Sequence, residues 1–233
     1  TGVITSDNCK ISVVDTVKNQ AKLTTHVCRI ESGMISVGDK VKLSIDSEKR
    51  MAIRRNHTSA HLLQAGLRSV LGTHVEQAGQ LVNEKTVRFD FTHFSALTEE
   101  EISKVEKFVN SAIFAGIEVV NKEMPINEAK AMGAMALFGE KYGDIVRVVA
   151  IDKTSTELCG GTHLDNTAKV GPFRVVSEGS VASGVRRIEA ITGKTCLQEM
   201  EKTQNLVLDA CSVLKVKPMD LQNRLQAQLD EVK

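Results

Sequence analysis

The hydrophobic pattern of the chain changes period several times and does not repeat as strand–helix–strand units. In some stretches apolar and polar residues alternate, which is the period of a half-buried strand, as at Val87, Phe89 and Phe91. In others, apolar residues recur every three or four positions, which is the period of an amphipathic helix. A doubly wound parallel sheet requires regular alternation of the two, so we predict an α+β fold instead.

We predict three segments along the 233 residues. Residues 1–50 contain short runs rich in Val, Ile and Thr, separated by turns, and are expected to form a small antiparallel β-barrel. Residues 51–193 mix helical and strand patterns and are expected to form an α/β-mixed core with an antiparallel sheet. Residues 194–233 become helical, and the start of a helical or coiled-coil arm is predicted from the stripe Leu221, Leu225, Leu229 and Val232.

Two helices are predicted near the start of the core. An apolar stripe that ends at Gly72 indicates a helix beginning at Arg55 or Asn56. Thr98 and Glu101 have the spacing of a capping box, in which each residue bonds the backbone amide of the other, and they predict the start of a second helix. The first of these helices carries two histidines with metal-binding spacing.

Composition excludes several classes of function. The formal net charge is +1, which argues against a protein that coats nucleic acid by bulk electrostatics but leaves room for a local basic patch. With 3% aromatic residues and no Trp, an aromatic platform for single strands is not expected. No apolar stretch approaches the roughly 20 residues of a membrane span, and five scattered cysteines indicate a reducing compartment. We therefore expect a cytoplasmic protein with no membrane contact.

His57 and His61 lie one helical turn apart. This spacing places both imidazoles on one face of a helix, where they can reach a single metal ion. Taken alone, the pair is as readily explained by two unrelated histidines. The common metalloprotease motif is excluded, because it requires Glu immediately after the first histidine and this chain has Thr58.

A second motif, Cys159-Gly160-Gly161-Thr162-His163, offers a thiolate and another imidazole. The two glycines allow a tight turn and the close approach of a ligand. One Cys and three His form a tetrahedral set of borderline-soft donors that suits Zn²⁺. Two alternatives stay open: Cys159 could act as a nucleophile with His163 or His61 as its base, or four protein ligands could hold a purely structural zinc.

These paired motifs resemble the editing domain of alanyl-tRNA synthetases and its free-standing relatives. The resemblance covers roughly residues 1–195 and the start of the arm, and it is carried in the same order by residues 55–63, 74–79, 88–94, 138–144 and 184–190. It implies that residues 51–193 are a zinc-containing editing domain, with His57, His61, Cys159 and His163 as the zinc ligands.

Further site residues follow from the same resemblance. Gln77 and Cys159 match catalytic positions. The implied substrate-binding residues are Thr58, Gln77, Gly160, Gly161 and Arg186. Without the resemblance, Gln77 would be interpreted as a polar loop residue and Arg186 as a solvated cation. For Thr58, which lies next to a ligand, contact with the substrate and a helix-surface hydroxyl stay open as equal alternatives. One position departs from the family pattern, since Gln80 follows Gly79 where Ser is frequent.

The resemblance implies an aminoacyl-tRNA deacylase that hydrolyses seryl-tRNA(Ala) and glycyl-tRNA(Ala), so its partner is the mischarged acceptor end. Such proofreading is needed because an alanine pocket rejects glycine and serine weakly. The motifs of an ATP-dependent charging site are absent from these residues. A start without Met and an arm that looks unfinished at Lys233 favour a piece of the synthetase over a free-standing deacylase. The other alternative is a zinc-stapled tRNA-binding module without turnover. The arm is also a candidate surface for self-association.

Overall fold

A computed structural model of the chain describes residues 1–20, 23–136 and 142–231. The described strands are β1 (Gly2–Thr5), β2 (Cys9–Lys18), β3 (Thr24–Gly33), β4 (Lys42–Ile45), β5 (Gln77–Val82), β6 (Val87–Thr92), β7 (Val120–Pro125), β8 (Ile145–Ile151), β9 (Ser155–Leu158), β10 (Phe173–Ala182) and β11 (Val185–Thr192). The described helices are α1 (Ser47–Leu71), α2 (Glu99–Phe114), α3 (Ile126–Ala131), α4 (Gly193–Leu214) and α5 (Leu221–Glu231). Strands and helices are mixed without regular alternation, which confirms the predicted α+β class.

The chain divides into two compact units, Thr1–Ile53 and Arg54–Lys233. In the first unit, four antiparallel strands form one sheet in the order β3-β2-β1-β4. The predicted antiparallel pairing is confirmed, but over residues 1–20 and 23–53 the sheet does not close into the expected barrel, because β3 and β4 are its two edges. Closure would require these edges to pair, and β4 is only four residues long.

The described part of the second unit contains two further antiparallel sheets, ordered β10-β11-β6-β5 and β7-β8-β9. The alternating strand predicted around Phe89 and Phe91 is β6, and both rings are buried. Helix α1 buries Leu62, Leu63 and Leu67 completely. These apolar side chains anchor the helix that carries the two histidines.

Helix α1 begins at Ser47, so the predicted start at Arg55 or Asn56 was wrong. The Asp46 carboxylate accepts a hydrogen bond from the Lys49 backbone N–H at 2.9 Å, which satisfies an amide of the first turn. The apolar stripe starts only later because the first turns are polar. The helix ends as predicted, and Gly72 follows it with a φ of 115° that favours glycine.

The capping box of α2 is present as predicted. The Thr98 hydroxyl accepts from the Glu101 backbone N–H at 3.2 Å, and the Glu101 carboxylate accepts from the Thr98 backbone N–H at 2.8 Å. Both bonds satisfy amides that have no partner within the helix.

We expect Thr98→Ala to lower the free energy of unfolding by about 1 kcal/mol, because the first turn of α2 loses the hydroxyl that caps it. Chemical denaturation measures this change. Ser111→Ala is the control, since it removes an exposed hydroxyl from the same helix without removing a cap. Equal stabilities of Thr98→Ala and the unmodified chain would contradict the role given to the capping box.

The C-terminal residues are helical, as predicted, but two helices replace one continuous stripe. Lys215 ends α4 in a left-handed conformation with a φ of 52°, and Pro218 begins a short 3-10 turn before α5. Leu225 and Leu229 are exposed on α5, whereas Val232 lies outside the described residues. Self-association through this arm stays a prediction. None of the described helices has the length and apolar character needed to cross a membrane.

Candidate metal centre

The two predicted motifs meet in the second unit. His57 and His61 project from α1, while Cys159 and His163 lie in the loop that follows β9. One ligand atom from each of the four residues can be chosen such that all lie within 4.8 Å of one another. The Cys159 sulfur is 3.2 Å from His163 Nε2 and 3.5 Å from His57 Nε2. This cluster could hold a metal ion, and its donors are compatible with zinc.

The Cys159–His163 loop is held in place by three side chains. The Arg54 guanidinium donates to the His163 carbonyl at 2.5 Å, and the Thr58 hydroxyl accepts from the Leu164 backbone N–H at 3.0 Å. Arg147 donates to the Gly161 carbonyl. Because Arg54 and Thr58 belong to α1, the helix that carries His57 and His61 also positions the loop that carries Cys159 and His163.

The two glycines of this loop have different surroundings. A Cβ placed on Gly161 would overlap the imidazole ring of His57, whereas a Cβ on Gly160 would meet no atom within 4 Å. Neither glycine has a φ in the left-handed region. Gly161 is therefore required by close packing against the His57 ring, and Gly160 faces open space.

A buried carboxylate supports the cluster from behind His61. Glu157 Oε2 lies 2.9 Å from His61 Nδ1, and Glu157 Oε1 accepts a hydrogen bond from the Ser155 hydroxyl at 2.5 Å. In the neutral form of the ring, a carboxylate at Nδ1 holds the single ring proton there and leaves Nε2 as the metal-binding atom, which is a common arrangement around protein-bound zinc. We did not predict Glu157 from the sequence. Its position could have indicated a supporting role, because Ser155 and Glu157 share one face of the strand that leads into Cys159.

Burial and charge set the protonation of the cluster. Burial alone would raise the pKa of the Cys159 thiol, but hydrogen bonds with His163, His57 and His61 lower it to about 3. Burial alone would lower the pKa of His61, but the negative charge of Glu157 and contacts with Cys159 raise it to about 10. Burial lowers the pKa of His163 to about 4. At neutral pH the sulfur is therefore a thiolate, which is the form that binds metals.

A cavity of about 440 Å³ opens beside the cluster. Its described lining includes His57, Cys159, Gly160, Gln80 and Arg147. Cys159 is only partly buried. His57 and Cys159 therefore both face a space that could receive a ligand.

Gln77 lines a different cavity. That space, of about 250 Å³, is bordered by Gln64, Arg68, Glu76 and Glu157 as well as Gln77. Gln77 thus borders the same cavity as Glu157. The described lining of the 440 Å³ cavity beside His57 and Cys159 does not include Gln77. Its catalytic role stays a prediction.

The other predicted substrate-binding side chains have partners within the chain. The Arg186 guanidinium forms two hydrogen bonds of 2.6 Å with the Glu178 carboxylate, and this pair is largely buried. Thr58 is fully buried and bonds the Leu164 amide. Substrate contact by either residue stays a prediction. Of the sequence stretches that carry the resemblance, residues 138–141 lie outside the described residues.

Comparison with known proteins relates the region around Cys159 and His163 to tRNA synthetases. Residues 146–189, which include Cys159 and His163, match the family model described as the threonyl and alanyl tRNA synthetase second additional domain. The whole chain is 50% identical over 232 residues to an alanine–tRNA ligase of Acetivibrio thermocellus. It is 49% identical to that of Clostridioides difficile and 46% identical to that of Bacillus velezensis, again over 232 residues.

All of this chain takes part in these matches, but it spans only about a quarter (26%) of the length of each of the three relatives. The paired metal-binding motifs and the identity of about half of the residues lead to one assignment. Over its whole length, the chain is homologous to a segment that makes up about one quarter of alanine–tRNA ligases.

Proposed function

We propose that this chain hydrolyses the ester bond of tRNA(Ala) that has been mischarged with serine or glycine. The observation that carries the proposal is the position of the candidate metal-binding cluster, which contributes His57 and Cys159 to an open cavity in a chain homologous to part of the alanine–tRNA ligases. The cavity would receive the aminoacylated end of the tRNA. The proposal implies a protein that acts in the cytoplasm.

The residues of the chain have separate roles in this proposal. His57, His61, Cys159 and His163 would hold zinc, and Glu157 would orient His61. A bound zinc ion would supply positive charge that orients the ester and polarises its carbonyl. Arg147 holds the Gly161 carbonyl and so keeps the loop of Cys159 at the cavity wall.

A second candidate function is a tRNA-binding module in which zinc is only structural. It is favoured by the presence of four protein ligands, because catalytic zinc sites normally keep one position open for water or substrate. The two candidates differ in turnover, which can be measured directly.

The test is to incubate the purified chain with seryl-tRNA(Ala), glycyl-tRNA(Ala) and alanyl-tRNA(Ala). We expect loss of the seryl and glycyl esters and retention of the alanyl ester. We also expect Cys159→Ala to lose zinc and this selective hydrolysis, while Cys28→Ala, which alters an exposed cysteine of the first unit, retains both. Binding of tRNA without selective ester loss would favour the structural module, and full activity of Cys159→Ala would contradict a role for the metal.

A further inference from the structure

Gln80 carries a buried side-chain amide nitrogen. Its side-chain nitrogen is inaccessible to solvent and, within residues 1–20, 23–136 and 142–231, makes no hydrogen bond. A buried amide that lacks a partner is costly, and such groups in native proteins call for an explanation. Gln80 lines the cavity that also contains His57 and Cys159. A rotation of the Gln80 side chain would turn this nitrogen toward a ligand in the cavity.

The strand geometry directs Gln80 toward this cavity. β5 pairs with β6 through Gln77↔Phe91 and Gly79↔Asp90, so an extra residue forms a bulge at Ala78. A bulge shifts the alternation of side chains by one position. Gln77 and Gln80 consequently lie on the same face of β5, and each lines a cavity that also includes Leu158. Leu81 lies on the opposite face and is 49% exposed.

Two other polar side chains along the described lining already have partners. Arg147 donates to the carbonyls of Gly161 and Cys159 and to Asn121 Oδ1. The His57 Nε2 atom faces the Cys159 sulfur. Apolar walls are provided by Ile145, Val146 and Leu158. A small polar group of a ligand that enters beside this apolar wall could accept a hydrogen bond from the Gln80 amide.

We propose that Gln80 recognises the side-chain hydroxyl of a seryl ester. This inference rests on the proposed function and assigns a specificity-determining residue within the same site. The hydroxyl oxygen would accept from the Gln80 nitrogen, and the bond would satisfy the buried amide. Neither a glycyl nor an alanyl ester has a side-chain group to make this bond, so Gln80 would favour the seryl ester alone.

The test compares Gln80→Met with the unmodified chain on seryl-tRNA(Ala) and glycyl-tRNA(Ala). Met has a similar shape but cannot donate a hydrogen bond. We expect kcat/KM for the seryl ester to fall about tenfold, the factor that one hydrogen bond commonly supplies, while the value for the glycyl ester changes less than about twofold. Leu81→Met, on the opposite face of β5, is the matched control and should leave the ratio of the two values unchanged.

Zinc content and the thermal unfolding midpoint show whether the variants are folded, and Gln80→Ala provides a second variant for which we expect the same change in the ratio. An equal fall for both esters would overturn the inference, because it would make Gln80 a residue that only shapes the cavity. An unchanged seryl rate would overturn it too. If the unmodified chain hydrolyses neither ester, the proposed function itself is wrong.

Discussion

Replacing Gly161 with Ala should weaken zinc binding by more than about 100-fold, which exceeds the usual effect of removing a group that only supports a ligand. The added Cβ would overlap the His57 ring. Neither the His57 ring nor the Gly161 backbone can easily move away. His57 lies between Asn56 and Thr58, which are both buried, and the Gly161 carbonyl is bonded to Arg147. The imidazole would have to leave its place in the cluster.

Gly160→Ala is the matched control for this prediction. The same methyl group is added one residue earlier, where no atom lies within 4 Å, so zinc affinity should change less than about threefold. Competition with a zinc-binding dye measures both affinities, and circular dichroism verifies that both variants are folded. Equal zinc affinities for the two variants would show that the packing of Gly161 against His57 does not limit metal binding.

Local patterns predicted the elements whose signals lie within a few residues. The capping box at Thr98 and the alternation around Phe89 are of this kind, because a helix cap and a strand face are set by neighbours in sequence. The start of α1 could have been found in the same way from Asp46, but the polar first turns of the helix carry no apolar stripe.

Features that depend on distant contacts were predicted less well. Closure of the N-terminal sheet depends on whether β3 and β4 pair, and their alternating patterns are the same in an open sheet and a barrel. The convergence of His57 with Cys159, which is 102 residues away, was anticipated through the resemblance to a known family and the donor chemistry. The separate cavity of Gln77 and the carboxylate behind His61 depend on how α1 and β9 pack, which no local spacing encodes.

The second large effect is expected at Glu157. Glu157→Gln keeps the shape of the side chain but removes the negative charge that faces His61 Nδ1 at 2.9 Å. Side chains that orient a metal-binding histidine in this way typically contribute 10- to 100-fold to metal affinity, so we expect a loss of about that size. Dye competition gives the zinc affinity, independently of any activity on tRNA.

The burial of this network explains why the effect should be specific. Glu157, His61 and Ser155 are only 7%, 4% and 4% exposed, so bulk water has little access to them and does not replace the lost negative charge. Ser155→Ala removes one bond to Glu157 but keeps the charge, and it should therefore weaken zinc binding less than Glu157→Gln does. Glu123→Gln, which removes an exposed charge from β7, should leave the affinity unchanged. If Glu157→Gln binds zinc as tightly as the unmodified chain, His61 is oriented by its packing in α1 and does not need the carboxylate.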